Sequence, residues 1–207
     1  MEIAHGVYST IVGDIHNNVY LIKGEKAAFF DSGWEDDESV NAVLEMWERA
    51  GKPETAAIVL SHRHPDHSGG ARKLAEATGA IIISSPTERA HIEEAFPGTR
   101  VGRTVAEGET LDLGGATLEF VNTPGHTMGS LSAVYRERGI LFAGDTIRTS
   151  NPFMIKDKAG DMGHHLQSLR KLQGYGLRLI GPGHGPPVED PGAHIEAELA
   201  RLGPGSN

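Results

Sequence analysis

The sequence predicts a mixed α/β or α+β domain in which sheet layers are covered by helices. Two patterns carry that prediction: short apolar runs alternate with amphipathic stretches, and strands outnumber helices while helices stay interspersed among them. Length agrees. A chain of 207 residues with 38% hydrophobic side chains can bury a core as one domain, and residues 1–207 are assigned to one, with no internal repeat or low-complexity linker.

Val19–Ile22 and Ala27–Phe30 read as strands joined by a hairpin at Lys23-Gly24-Glu25, the second ending in Asp31-Ser32-Gly33. Val40, Val43, Leu44 and Trp47 then form a helical stripe that stops near Gly51-Lys52-Pro53. Ala56–Leu60 is continuously apolar, as a buried strand is, and runs into Ser61-His62-Arg63-His64-Pro65-Asp66-His67. Leu74 and Ala75 lie on a helix closed by Gly79, and Ala80–Ile83 is the next strand. Ser85-Pro86-Thr87-Glu88 carries a capping serine, a proline at the first helical position and a glutamate at the third, so a helix should run from there to about Phe96. Beyond Thr104 come short strands with Gly-rich turns: Leu111–Leu113, Thr117–Val121, Leu131–Tyr135 and Ile140–Phe142. Asp161–Leu172 reads as a helix, Leu177–Ile180 as a strand, and Asp190-Pro191 as the start of a last helix; Gly203–Asn207 is expected to fray.

Composition removes several function classes. The formal net charge is -9 and no Lys/Arg cluster concentrates positive charge, which disfavours nucleic acid as a partner. Cysteine is absent, so no disulfide forms, no thiolate acts, and any metal must be held by nitrogen and oxygen. The N-terminus lacks the basic start and apolar stretch of a signal peptide, and no apolar run is long enough to span a bilayer. The expectation is a cytoplasmic protein with a small-molecule substrate and no membrane partner; homo-oligomerisation is left open.

Three of eleven histidines fall between His62 and His67, in a loop leaving a buried strand, where α/β proteins place functional groups. Three further strand ends carry a glycine-flanked ligand type: Thr123-Pro124-Gly125-His126, Ala143-Gly144-Asp145 and Gly181-Pro182-Gly183-His184. Any one alone reads as an ordinary loop histidine or an Asx turn; the recurrence points to a site. His62, His64, Asp66, His67, His126, Asp145 and His184 exceed what one tetrahedral zinc takes, and divide between two metals if one carboxylate is shared. A hydroxide bridging two such metals would be a nucleophile near neutral pH, which implies hydrolysis of an ester-like, amide-like or phosphoester bond. No Gly-x-Ser-x-Gly elbow offers a rival nucleophile.

These residues, with Asp31-Ser32-Gly33 before them, resemble the metallo-β-lactamase superfamily over Val19 to His184. The resemblance implies a four-layer αββα sandwich of two mixed sheets with the site at one edge. It also implies that His62, His64 and His126 hold one metal, that Asp66, His67 and His184 hold the other, and that Asp145 bridges them. For Asp66 it adds a catalytic role, orienting the nucleophile or receiving its proton; for Asp31, support of the metal loop from behind. Two Zn2+ per chain are expected, with Fe or Mn accepted by the same donors. The pattern is closer to glyoxalase II, lactonases and small β-lactamase-like hydrolases than to the drug-hydrolysing enzymes, and departs from glyoxalase II in that the C-terminal helical region is nearly absent. The expected function is metal-dependent hydrolysis of a thioester, lactone or β-lactam-like bond. Alternatives on the same fold are a mononuclear-iron persulfide dioxygenase using His62, His126 and Asp145, and a phosphodiesterase or endoribonuclease. A non-catalytic binding module should have lost ligands, and a diiron flavoprotein relative should carry glutamate in place of His64. Of the remaining histidines, His164-His165 reads as a solvated helix face and His16 as part of a loop overhanging the site. Trp34 and Trp47 read as core or site wall.

Overall fold

The computed structural model describes residues 1–150 and 160–203; the expected fraying beyond Gly203 lies outside the described residues. The first sheet runs β1 (Glu2–Ala4), β2 (Val7–Val12), β3 (Asn17–Lys23), β4 (Ala27–Phe30), β5 (Thr55–Val59), β6 (Ile81–Ser84) and β7 (Val101–Thr104), each beside the next. It is antiparallel through β4 and parallel from β4 to β7. The second holds β8 (Thr110–Asp112), β9 (Thr117–Asn122), β10 (Leu131–Tyr135), β11 (Ile140–Phe142) and β12 (Leu179–Gly181). Only its β11–β12 pair is parallel. Helices α1 (Asp37–Arg49), α2 (Pro65–Ser68), α3 (Ala71–Thr78), α4 (Pro86–Ala95), α5 (Met162–Gln173) and α6 (Pro191–Leu202) complete the described chain.

Strand periodicity builds the layers. In β3 and β4, Tyr20, Ile22, Ala28 and Phe30 face the second sheet, while Val19, Leu21, Ala27 and Phe29 face helices. Phe120, Ala133 and Phe142 answer from the second sheet, and Tyr20 and Phe142 pack with ring centroids 5.2 Å apart. Outside the first sheet lie Val40, Val43 and Met46 of α1, Leu74 of α3 and Ile92 of α4. Outside the second lie Leu169 and Leu172 of α5 and Ile195 of α6. The result is helices, sheet, sheet, helices, the four layers expected. Each fully buried aromatic in the central layer contributes roughly 1.5–3 kcal/mol.

Local capping fixes the helix ends. Asp36 caps α1 by accepting from the Ser39 N–H at 2.8 Å, and Gly79 ends α3 in the left-handed conformation at φ 73°. Strands β1, β2 and β7 were not expected. β1 is a three-residue edge strand, and β7 interrupts its apolar pattern with Gly102 and Arg103. Trp34 and Trp47 both pack, partly buried, against the outer helical layer. Among the described residues, no helix is long and apolar enough to cross a membrane.

Candidate metal centre

Strand ends deliver the site. β4 stops at Asp31, β5 feeds the His62–His67 segment, β9 leads to His126, β11 to Asp145 on a 3-10 turn (Gly144–Thr146), and β12 to His184. Within the His62–His67 loop, Pro65 opens α2, the short helix that carries Asp66 and His67. All seven sequence-predicted metal candidates come together. They fall into the overlapping groups His62–His64–His126, His62–His67–Asp145 and Asp66–His67–His184, with potential ligand atoms within 4.8 Å in each group.

In the first group His64 Nδ1 lies 2.9 Å from both His62 Nε2 and His126 Nε2. In the last, Asp66 Oδ2 lies 3.3 Å from His67 Nε2 and 3.2 Å from His184 Nε2. Asp145 divides its carboxylate: Oδ2 is 3.3 Å from His126 Nε2, while Oδ1 is 3.3 Å from His67 Nε2 and 3.2 Å from His184 Nε2. Asp145 can reach this position because Gly183 stands opposite, where a Cβ would collide with Asp145 Oδ1.

Hydrogen bonds behind the rings choose which nitrogens face inward. Asp31 Oδ1 accepts from the Ser61 N–H at 2.8 Å; its Oδ2 accepts from the Ser61 hydroxyl at 3.0 Å and from His67 Nδ1 at 2.8 Å. The Ser61 proton is thereby committed, so Ser61 Oγ accepts from His62 Nδ1 at 2.9 Å. His184 Nδ1 donates to the Ile15 carbonyl at 3.0 Å. His62, His67 and His184 each therefore offer Nε2 to the interior, as metal-ligating imidazoles do. The donor set fits a metal: these nitrogens and the Asp145 oxygens converge on shared points, and buried Asp145 Oδ1 makes no hydrogen bond of acceptable geometry despite nitrogens at 3.2–3.3 Å.

Electrostatics separate the two halves. Burial, reinforced by His67, holds His62 and His64 below the usual imidazole range, and burial takes His126 down to about 4 against the pull of Asp145. Burial acts the same way on His67 and His184, but their carboxylate neighbours Asp66 and Asp145 overcome it and raise both. Asp66 and Asp145 are depressed despite burial, chiefly by His67. Without a cation the second group thus stores protons among carboxylates, whereas the first offers neutral rings.

Several residues of the centre were not singled out from sequence. Ser61 fixes the His62 ring, Arg148 brings Nη1 to 3.3 Å from Asp145 Oδ2, and Asn17 Nδ2 donates to the Asp66 carbonyl. Asn18 Nδ2 holds the His184 loop through the Pro182 and Gly185 carbonyls at 3.1 and 2.7 Å. Asn17-Asn18, beside His16, was the available signal. His16 itself is exposed, and its loop meets the centre through the Ile15 carbonyl. His165 corrects an expectation: only His164 is exposed, while His165 is buried against Gly125, where a Cβ would meet its backbone at 2.5 Å.

A sequence model of the metallo-beta-lactamase superfamily matches residues 12–184. The chain belongs to this superfamily. Among its relatives there is a hydroxyacylglutathione hydrolase of Rhodospirillum rubrum, 35% identical over 60% of this chain and 46% of the relative. An atrochrysone carboxyl ACP thioesterase of Aspergillus fumigatus is 27% identical over 70% of this chain and 43% of its own length. The chain thus spans less than half the length of these curated superfamily members. A metallo-beta-lactamase family protein from Thermus thermophilus superposes with a TM-score of 0.82 at 23% identity, covering 96% of this chain and 80% of that one. It shares the superfamily fold.

Proposed function

We propose that the chain is a binuclear, zinc-dependent hydrolase of a small thioester or related ester. One observation carries this reading: Asp145 presents one oxygen to the three-histidine group and the other to Asp66, His67 and His184. His62, His64 and His126 would hold one ion, Asp66, His67 and His184 the second, and Asp145 both. Ions bound there would supply a water with its pKa lowered towards ~7 and a Lewis acid for the substrate carbonyl. The chain's own part is to orient and to move protons. Asp31 and Ser61 fix the inward nitrogens, and Asp66, whose carboxylate is kept ionised, would orient the nucleophile or receive its proton. Thioesters are favoured because two relatives are, by name, a hydroxyacylglutathione hydrolase and an acyl carrier protein thioesterase. A complete second group, beyond what a mononuclear site needs, supports two ions.

The test is thiol release from a panel of acyl-glutathione and acyl-N-acetylcysteamine thioesters. Turnover that vanishes after chelation and returns with Zn2+ supports the reading. Oxygen consumption with a persulfide, and no thiol release, would sink it.

A further inference from the structure

Glu88 lies outside the seven converging side chains, yet it is fully buried and its carboxylate is committed to the loop bearing His62 and His64. Oε2 accepts from the Arg63 N–H at 3.0 Å, and both oxygens accept from Arg63 Nη1, at 3.0 and 3.2 Å. Arg63 stands between the two histidines, so this grip fixes the peptide that spaces them. The same helix end holds the loop of His126. Ser85, the N-cap of α4, donates to the Gly129 carbonyl at 2.6 Å. Glu88 also fills the space over Gly129, where a Cβ would lie 2.5 Å from Oε1 and 2.6 Å from Cγ. Gly129 is not in the left-handed region, so room for Glu88, not backbone freedom, is what calls for glycine there. The Asp66–His67–His184 group has further anchors that Glu88 does not touch: Asp31, Asn17, Asn18 and the Ile15 carbonyl. A buried ion pair adds little stability over apolar packing, so its geometry is the better account of its presence.

We propose that Glu88 is a positioning residue: by clamping both loops to the start of α4 it presets His62 and His64 against His126, and so sets the metal affinity of that group alone. The inference rests on the binuclear reading above.

Its test uses Co2+ alone, followed by d–d absorption, in two backgrounds. His184→Ala leaves the three-histidine group; His126→Ala leaves the other. In the first background, Glu88→Gln should weaken Co2+ binding roughly 10–100-fold, against less than about threefold in the second. Gly129→Ala, which keeps the charge and pushes the carboxylate, should reproduce the pattern. Equal weakening in both backgrounds, or none, overturns the proposal. Hydrogen exchange on the otherwise wild-type, metal-free chain reads the clamp without any ion: Glu88→Gln should expose the Arg63 amide while leaving residues 180–185 protected. An unchanged Arg63 amide overturns the proposal as well. If His184→Ala binds no Co2+ at all, the binuclear reading falls, and the exchange result still decides whether the clamp exists.

Discussion

Asp31→Asn isolates the tautomer control of the site. Asp31 sits at φ 63°, a left-handed conformation that Asn tolerates as well as Asp, so the backbone has no reason to move. Asn keeps one oxygen for the Ser61 N–H but turns an amide N–H2 towards the Ser61 hydroxyl and His67 Nδ1, both of which donate to Asp31 at 3.0 and 2.8 Å. Donor would face donor. An ion needs His67 neutral with Nε2 free, and that tautomer keeps its proton on Nδ1, facing the new amide rather than a carboxylate oxygen. A hydrogen bond to a charged partner contributes about 1.5–3 kcal/mol, and loss of such a support weakens metal binding roughly 10–100-fold, or about 1.4–2.8 kcal/mol, so the two scales agree. Zn2+ competition against a chromophoric chelator should show this loss for the weaker of two ions. Unchanged affinity for both ions would refute the reasoning.

Asp145→Ala should cut bound metal from two ions to at most one and lower thioester turnover by more than the roughly 100-fold upper range of a supporting residue; elemental analysis beside kinetics checks both. Gly183→Ala forces a methyl onto the Asp145 carboxylate and should cost about 1–3 kcal/mol, read by urea unfolding. Phe142→Ala, at the centre between the sheets, should cost about 3–5 kcal/mol in the same assay. Burial lowers the His165 pKa from 6.5 to about 4. In that window the unfolded chain binds a proton that the folded chain refuses, so stability should fall as pH drops from 6.5 to about 4 and level off below. At ~1.4 kcal/mol per pH unit the loss approaches about 3 kcal/mol. A folded His165→Phe variant should make the slope shallower by this share, the remainder belonging to His62, His64 and His126, which burial also lowers.

Much of this was legible in the sequence because the signals are local. Continuous apolar runs such as Ala56–Leu60 mark central strands whose two faces are both covered, and Ser85-Pro86 marks a helix start whatever surrounds it. His62 to His67 is dense enough to read alone, and the glycines beside His126, Asp145 and His184 mark places where backbone passes close to a side chain. Long-range pairings were not legible. Glu88 reads as half of a capping box but turns to Arg63, 25 residues away in sequence. The histidine pair at 164–165 reads as one exposed face, yet α5 turns His165 under Gly125 because consecutive helical residues point about 100° apart. β1 and β7 are edge strands held by β2 and β6, partners that their own short sequences do not announce.

The central claim is that one carboxylate serves two ions. Its most direct test is elemental analysis of the wild-type chain purified without added metal, with an absorbance spectrum. About two zinc ions per chain is the predicted result; a single iron per chain, with a charge-transfer band and oxygen uptake, would contradict it.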